Sequence, residues 1–72
     1  MATNSTYVKT EVVGTSDKSV SDAIESAIAT ASRSLRNLDW FEVTEVRGTI
    51  RDNKVANYQV TLKVGFRYQP KA

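Results

Sequence analysis

The sequence predicts an α+β domain of order β-α-β-β, in which a three-stranded antiparallel sheet folds across one helix. Three observations lead there. Apolar residues between Val20 and Leu38 recur at intervals of three and four, which is the helical period. From Tyr58 to Tyr68 apolar and polar residues alternate strictly, which is the strand period. Two further stretches, Thr6–Val13 and Trp40–Arg51, are rich in β-branched and aromatic residues.

Met1–Ser5 is small and polar and reads as a loose terminus. The first strand is expected over Thr6–Val13, and Gly14-Thr15-Ser16-Asp17 reads as a break made of turn residues. Ser19 with Asp22 three residues later approximates a capping box, with Asp in place of the usual Glu. The helix that follows carries Val20, Ala23, Ile24, Ala27, Ile28, Ala31, Leu35 and Leu38 on one face. Its small residues Ala23, Ala27 and Ala31 would let it lie close to a sheet.

In the second expected strand, Trp40–Arg51, the pattern changes phase. Phe41 and Val43 share one parity, whereas Val46 and Ile50 share the other. A bulge near Thr44-Glu45, or sharp curvature, reconciles them. Asp52-Asn53 marks a tight connection, so the third strand returns as a hairpin. In that strand Tyr58, Val60, Leu62, Val64, Phe66 and Tyr68 point one way, toward the helix. Gln59, Thr61, Lys63, Gly65 and Arg67 point the other, toward solvent or a neighbouring subunit. Pro70 closes the fold and residues 69–72 are a tail, so 1–72 is a single domain. No internal repeat interrupts it.

The chain has 72 residues, with no cysteine and no histidine. Disulfides and thiolate sites are thereby excluded, as are the commonest metal ligand and the usual general base. A domain this short buries little of its surface when alone, which leaves oligomerisation as the expected source of further stability. Ten Lys+Arg against eight Asp+Glu give a net charge of +2, too small to argue for a nucleic-acid partner, and the basic residues form no run. No apolar stretch is long enough to span a membrane. Met1–Tyr7 carries neither a basic nor an apolar leader segment, so the expected location is the cytoplasm. The sequon at Asn4-Ser5-Thr6 is then a chance match.

Few residues suggest chemistry. Gly14, Gly48 and Gly65 match no phosphate-binding fingerprint. Glu42 and Glu45, three apart on a strand, aim at opposite faces unless a bulge intervenes, and read as solvated residues rather than an acid/base pair. Asp39 is either a turn residue after the helix or a polar contact for a ligand. Trp40, the only tryptophan, is either core or a stacking platform displayed on the outer face, opposite Phe41, which fits the core together with Val43. Gln59 can both donate to and accept from a heterocycle edge, though a plain surface glutamine has the same pattern. Arg47 and Arg67 could hold phosphate by paired donors, though isolated surface arginines usually do nothing of the kind.

Taken together, Leu38-Asp39-Trp40-Phe41-Glu42-Val43, Val46-Arg47-Gly48, Val13-Gly14-Thr15-Ser16 and Gln59–Arg67 resemble the dodecins, and the match runs from about Tyr7 to Arg67. The resemblance implies a hollow dodecamer that holds paired flavins between tryptophans. It implies that Trp40 stacks on the flavin, Gln59 bonds the ring edge, Arg47 lies near the phosphate, and Asp39 borders the pocket. The bound cofactor would be FMN, riboflavin or FAD. Some bacterial members also bind coenzyme A on a separate surface, where Tyr7 and Arg67 match. The basic residue expected near the N-terminus there has no clear counterpart, since Ser5 stands close to that place. The implied function is storage of flavin and quenching of its photochemistry, without enzymatic activity. Two alternatives remain open: a single-stranded nucleic-acid module stacking bases on Trp40, Tyr58 and Tyr68, and a flavin-dependent oxidoreductase.

Overall fold

A computed structural model describes residues 4–68. The loose terminus expected at 1–5 is therefore only partly covered, and the tail at 69–72, with Pro70, lies outside the described residues. The order is β1 (Tyr7–Ser16), α1 (Val20–Ala31), β2 (Leu38–Arg51) and β3 (Lys54–Arg67). β3 is central, with β1 and β2 antiparallel on either side of it. The β-α-β-β order and the three-stranded antiparallel sheet are as the sequence predicts. The molecule is elongated, 55 × 20 × 15 Å, because β2 and β3 run on as a two-stranded hairpin beyond the last β1 pair, Ser16 with Tyr58.

Several boundaries differ from expectation. β1 does not stop at Val13 but continues through Gly14 to Ser16. Gly14 is a place of close approach, not a turn: a Cβ there would run into the Ala23 carbonyl and the Ala27 methyl of α1. The helix packs on β1 through those small residues, as their size suggests. Second, α1 ends at Ala31 and does not reach Leu35 or Leu38. The Leu35 N–H still bonds the Ala31 carbonyl at 2.9 Å, so the helical spacing survives for one further turn. Serines at 32 and 34 favour turns over helix interior, and Asn37 adopts a left-handed φ of 63° that turns the chain into β2. Third, Leu38 accordingly opens β2. β3 begins at Lys54 and ends at Arg67, leaving Tyr68 just past it.

The helix start follows the capping expectation with a different partner. The Ser19 hydroxyl accepts from the Asp22 N–H at 2.9 Å. The Asp22 carboxylate takes its hydrogen bond from the Ser16 hydroxyl at 2.7 Å, which ties the cap to the end of β1. The hairpin turns on Asp52 and Asn53, both at positive φ (53° and 63°), the pair of left-handed residues a tight two-residue loop requires.

The bulge expected near Thr44-Glu45 is present as a register shift between Val43 and Glu45. It lets Phe41, Val43 and Val46 pair with Val64, Leu62 and Val60, all on the side of α1. The core is Ala23, Ala27, Val60, Leu62 and Val64, with Val12, Val20, Ile24, Ile28 and Leu38 packed against it. Phe41 and Val43 have the expected facing but stand outside that core. α1 packs on β1 and β3, and both residues remain exposed in the single chain.

Candidate functional site

Trp40 is turned outward by a local irregularity that the sequence reading did not anticipate. Leu38 pairs with Phe66 and packs into the core, whereas Trp40 pairs with Gly65, and the register shifts between them at Asp39. Two residues of equal parity thus reach opposite faces. Trp40 is 40% exposed on the side away from α1, which settles the choice between core and outer face in favour of the latter.

The indole is seated. A Cβ on Gly65 would come almost equally close to the Cδ2, Cε2 and Cζ2 atoms of Trp40. A point equidistant from three atoms of a six-membered ring lies on the normal through its centre. Gly65 therefore supports the flat face of the benzo ring, and the opposite face is turned away from the sheet. Gly65 is itself buried although it belongs to the polar set of β3. A glycine inside a clean alternating strand was the signal for such a close contact.

Around this seat the structure gathers Tyr7, Lys9, Glu42 and Arg67. The Tyr7 and Trp40 ring centroids are 5.0 Å apart with planes at 58°. Tyr7 pairs with Arg67 across β1 and β3. The Lys9 ammonium bridges to the Glu42 carboxylate at 2.7 Å, passing from β1 to β2 over β3. That hydrogen bond and the charge of Lys9 hold the Glu42 carboxyl below its ordinary value. Lys63 and the Trp40 indole N–H add smaller pulls in the same direction, and desolvation opposes them. Tyr7 and Trp40, which the resemblance assigns to two separate surfaces, are thus direct neighbours in one chain.

Gln59 and Arg47 pair with each other on this same outer face, but not beside Trp40. Gln59 lies six residues along β3 from Gly65, about 20 Å at the usual strand rise. One chain cannot bring both ends to a single aromatic ring. Asp39 is exposed at the irregularity beside Trp40 and borders an open groove of about 620 Å³ between α1 and β2. The groove is lined chiefly by Ile24, Ile28, Leu38 and Phe41, with Trp40 also among its lining residues.

The bulge at Thr44 places Glu42 and Glu45 on one face, opposite Lys63 and Thr61, rather than on opposite faces. Glu42 is nonetheless committed to Lys9. Tyr58 has the facing of Val60 and Leu62, away from Trp40, and Tyr68 gives its N–H to the Thr6 carbonyl just past β3. Tyr58 and Trp40 therefore do not build one stacking surface. Among the described residues no group of three or more acidic side chains is placed to hold a metal ion, and no helix is long and apolar enough to cross a membrane.

Comparison with known proteins gives a consistent result. The family model described as Dodecin matches residues 6–69. A dodecin of Thermus thermophilus is 54% identical over 63 residues, spanning 88% of this chain and 91% of its own. The solved structure of dodecin from Streptomyces coelicolor superimposes with a TM-score of 0.91 at 54% identity, over 97% of this chain and 100% of the other. The dodecin from Streptomyces davaonensis gives 0.88 at 53% identity, over 94% and 100%.

Proposed function

The chain belongs to the dodecin family, and on that footing we propose that it binds flavins by stacking their ring on Trp40 and stores them in an assembly of its own copies. One observation carries the reading. The indole is backed on one face by Gly65 and turns its other face away from the sheet. A planar ring laid on that face buries apolar area and gains an aromatic stacking contribution of about 0.5–1.5 kcal/mol.

The residues fit a flavin on one condition. Trp40 and Gln59 sit about 20 Å apart along β3. The glutamine that meets the ring edge, and the arginine that meets the phosphate of FMN, would therefore come from another copy. A two-fold contact makes this self-consistent, since each copy offers the same patch and receives the same patch. Two Trp40 side chains would then close over two rings. Twelve copies in a dodecamer are what family membership suggests for the complete shell. Riboflavin and FAD share the ring and would use the same seat. Coenzyme A at Tyr7 and Arg67 has narrower support: the family resemblance and the pairing of those two residues on adjacent strands.

A bound flavin would supply a photo-excitable oxidant. Trp40, in contact with it, would give an electron and take it back, so that excitation ends as heat. Glu42, the carboxylate on the same face beside the seat, is engaged by Lys9 and is not free to act as a base on a substrate. Binding and protection, not turnover, are the functions this seat serves, and the cytoplasm is where such a store would act.

The test is Trp40→Ala, with Trp40→Leu as the variant that keeps apolar cover over Gly65. Both should assemble like the wild type, because the core under α1 is untouched. Flavin affinity should fall by roughly 2- to 10-fold or more, the equivalent of the stacking contribution. Flavin that still binds should be brighter per molecule. Intact assemblies with unchanged affinity and unchanged quenching would overturn the reading.

A further inference from the structure

Trp40 is held by more than its seat. The Tyr7 ring of β1 meets it at 5.0 Å between centroids, tilted by 58°. Glu42, two residues further along β2, stands on the same face of the sheet as Trp40. Glu42 in turn is bonded by Lys9 of β1 at 2.7 Å. Tyr7 and Lys9 are alternate residues of one strand and face the same way. Lys9 and Trp40 both pair with Gly65, so the ion pair crosses β3 next to a position without a side chain.

A surface indole turns about two dihedral angles, and a ligand that stacks on it must stop both. Contacts that stop them beforehand remove that cost from binding. We propose that β1 clamps Trp40: Tyr7 and the Lys9–Glu42 ion pair fix the orientation of the indole for a planar ring, and acid releases the clamp. Tyr7, Lys9 and Glu42 are positioning residues in this scheme. The proposal deepens the flavin reading and rests on it for the ligand, but the clamp belongs to the ligand-free protein as well.

The charged groups around Glu42 determine the direction of the pH effect. Lys9 and Glu11 face it from β1, Lys63 from β3, and Glu45 lies on the same face of β2. α1 is on the other side of the sheet. Two cations, one of them in contact, outweigh the two carboxylates and keep Glu42 ionised below the ordinary glutamate range. The pair is therefore intact at neutral pH and is lost as pH falls through that lowered value.

The chain has one tryptophan, so red-edge excitation reads Trp40 alone. In the ligand-free protein, titration from roughly pH 7 to pH 3 should give a step in emission anisotropy below the ordinary glutamate range. Glu42→Gln and Lys9→Met should each abolish the step, because neither variant can form the ion pair. At neutral pH, Tyr7→Leu should lower the anisotropy and weaken FMN roughly 2- to 10-fold, while Tyr7→Phe, which keeps the ring, should restore both. A step that survives Glu42→Gln, no step in the wild type, or unchanged anisotropy in Tyr7→Leu would each overturn the clamp. If FMN fails to bind the wild type, the flavin reading falls, and the ligand-free titration still decides on the clamp.

Discussion

On the β1 side of β3 the apolar surface is covered by α1: Val60, Leu62 and Val64 have no accessible surface and pack on Ala23 and Ala27. On the β2 side Val46, Val43 and Phe41 stand in register with those same three residues, on the same face, yet are 53%, 41% and 48% exposed. Ile50 beyond them is 76% exposed. The difference has a geometric cause. A helix is about 10–12 Å across with its side chains, and strands lie about 4.8 Å apart, so one helix covers two strands and not three. The lesson is that one half of this sheet has its partner within the chain, while the other half leaves a row of apolar side chains uncovered. On a domain this small, such a patch is a candidate interface.

The largest effect should come from putting a charge into the uncovered row. In an isolated chain Phe41→Asp would be a surface substitution, within about 0.5 kcal/mol of neutral. If another copy covers Phe41, the change leaves an unpaired charge and a void in every subunit, about 3–5 kcal/mol for the lost aromatic volume alone. Light scattering should show the wild type near twelve chain masses and the variant as small species. A variant that keeps the wild-type size would erase the difference between the two halves as an assembly signal.

The covered half responds otherwise. Leu62→Ala removes a fully buried side chain from the core under α1 and should cost about 2–5 kcal/mol. The loss should appear in the unfolding of each chain, measured by urea denaturation with assembly followed in parallel. If Leu62→Ala dissociated the assembly while the chain stayed folded, the division into an internal and an external half would be wrong.

Much of this organisation could be read from the sequence, and the exceptions share a cause. The alternation from Tyr58 onward locates β3, and the phase change between Val43 and Val46 locates the bulge. What periodicity cannot show is where a helix stops covering a sheet, so facing alone puts Phe41 and Val43 in the core although they stand outside it. Gly14 reads as a turn because close backbone approach and turning both call for glycine. Leu35 and Leu38 continue the helical spacing, but serines at 32 and 34 and the left-handed Asn37 outweigh it. For the site, sequence resemblance picks out Trp40, Gln59 and Arg47 individually. It does not show that Trp40 lies far from the other two in one chain, because that distance appears only once the register is known. The roles of Gly65 and of the Lys9–Glu42 pair are not legible in the sequence, because they depend on what stands across the sheet.

The smallest of the three effects tests whether the external half also carries ligand contacts. Arg47 is on β2, and its pair partner Gln59 is on β3. If a neighbouring copy completes this half, both side chains work on a ring stacked on that neighbour's tryptophan. Their chemistry then separates them. Gln59 meets the ring, which riboflavin and FMN share, so Gln59→Ala should weaken both ligands alike. Arg47 meets the phosphate, which riboflavin lacks. A charge-assisted hydrogen bond contributes about 1.5–3 kcal/mol, so Arg47→Ala should cost FMN roughly 10- to 150-fold in affinity and riboflavin little. Fluorescence titration of both ligands against both variants, with assembly size checked in each, measures the contrast. Equal losses for the two ligands in Arg47→Ala would remove the phosphate role. Unchanged binding in both variants would confine the site to the Trp40 end of the sheet, and one chain would then hold the ligand without a neighbour's help.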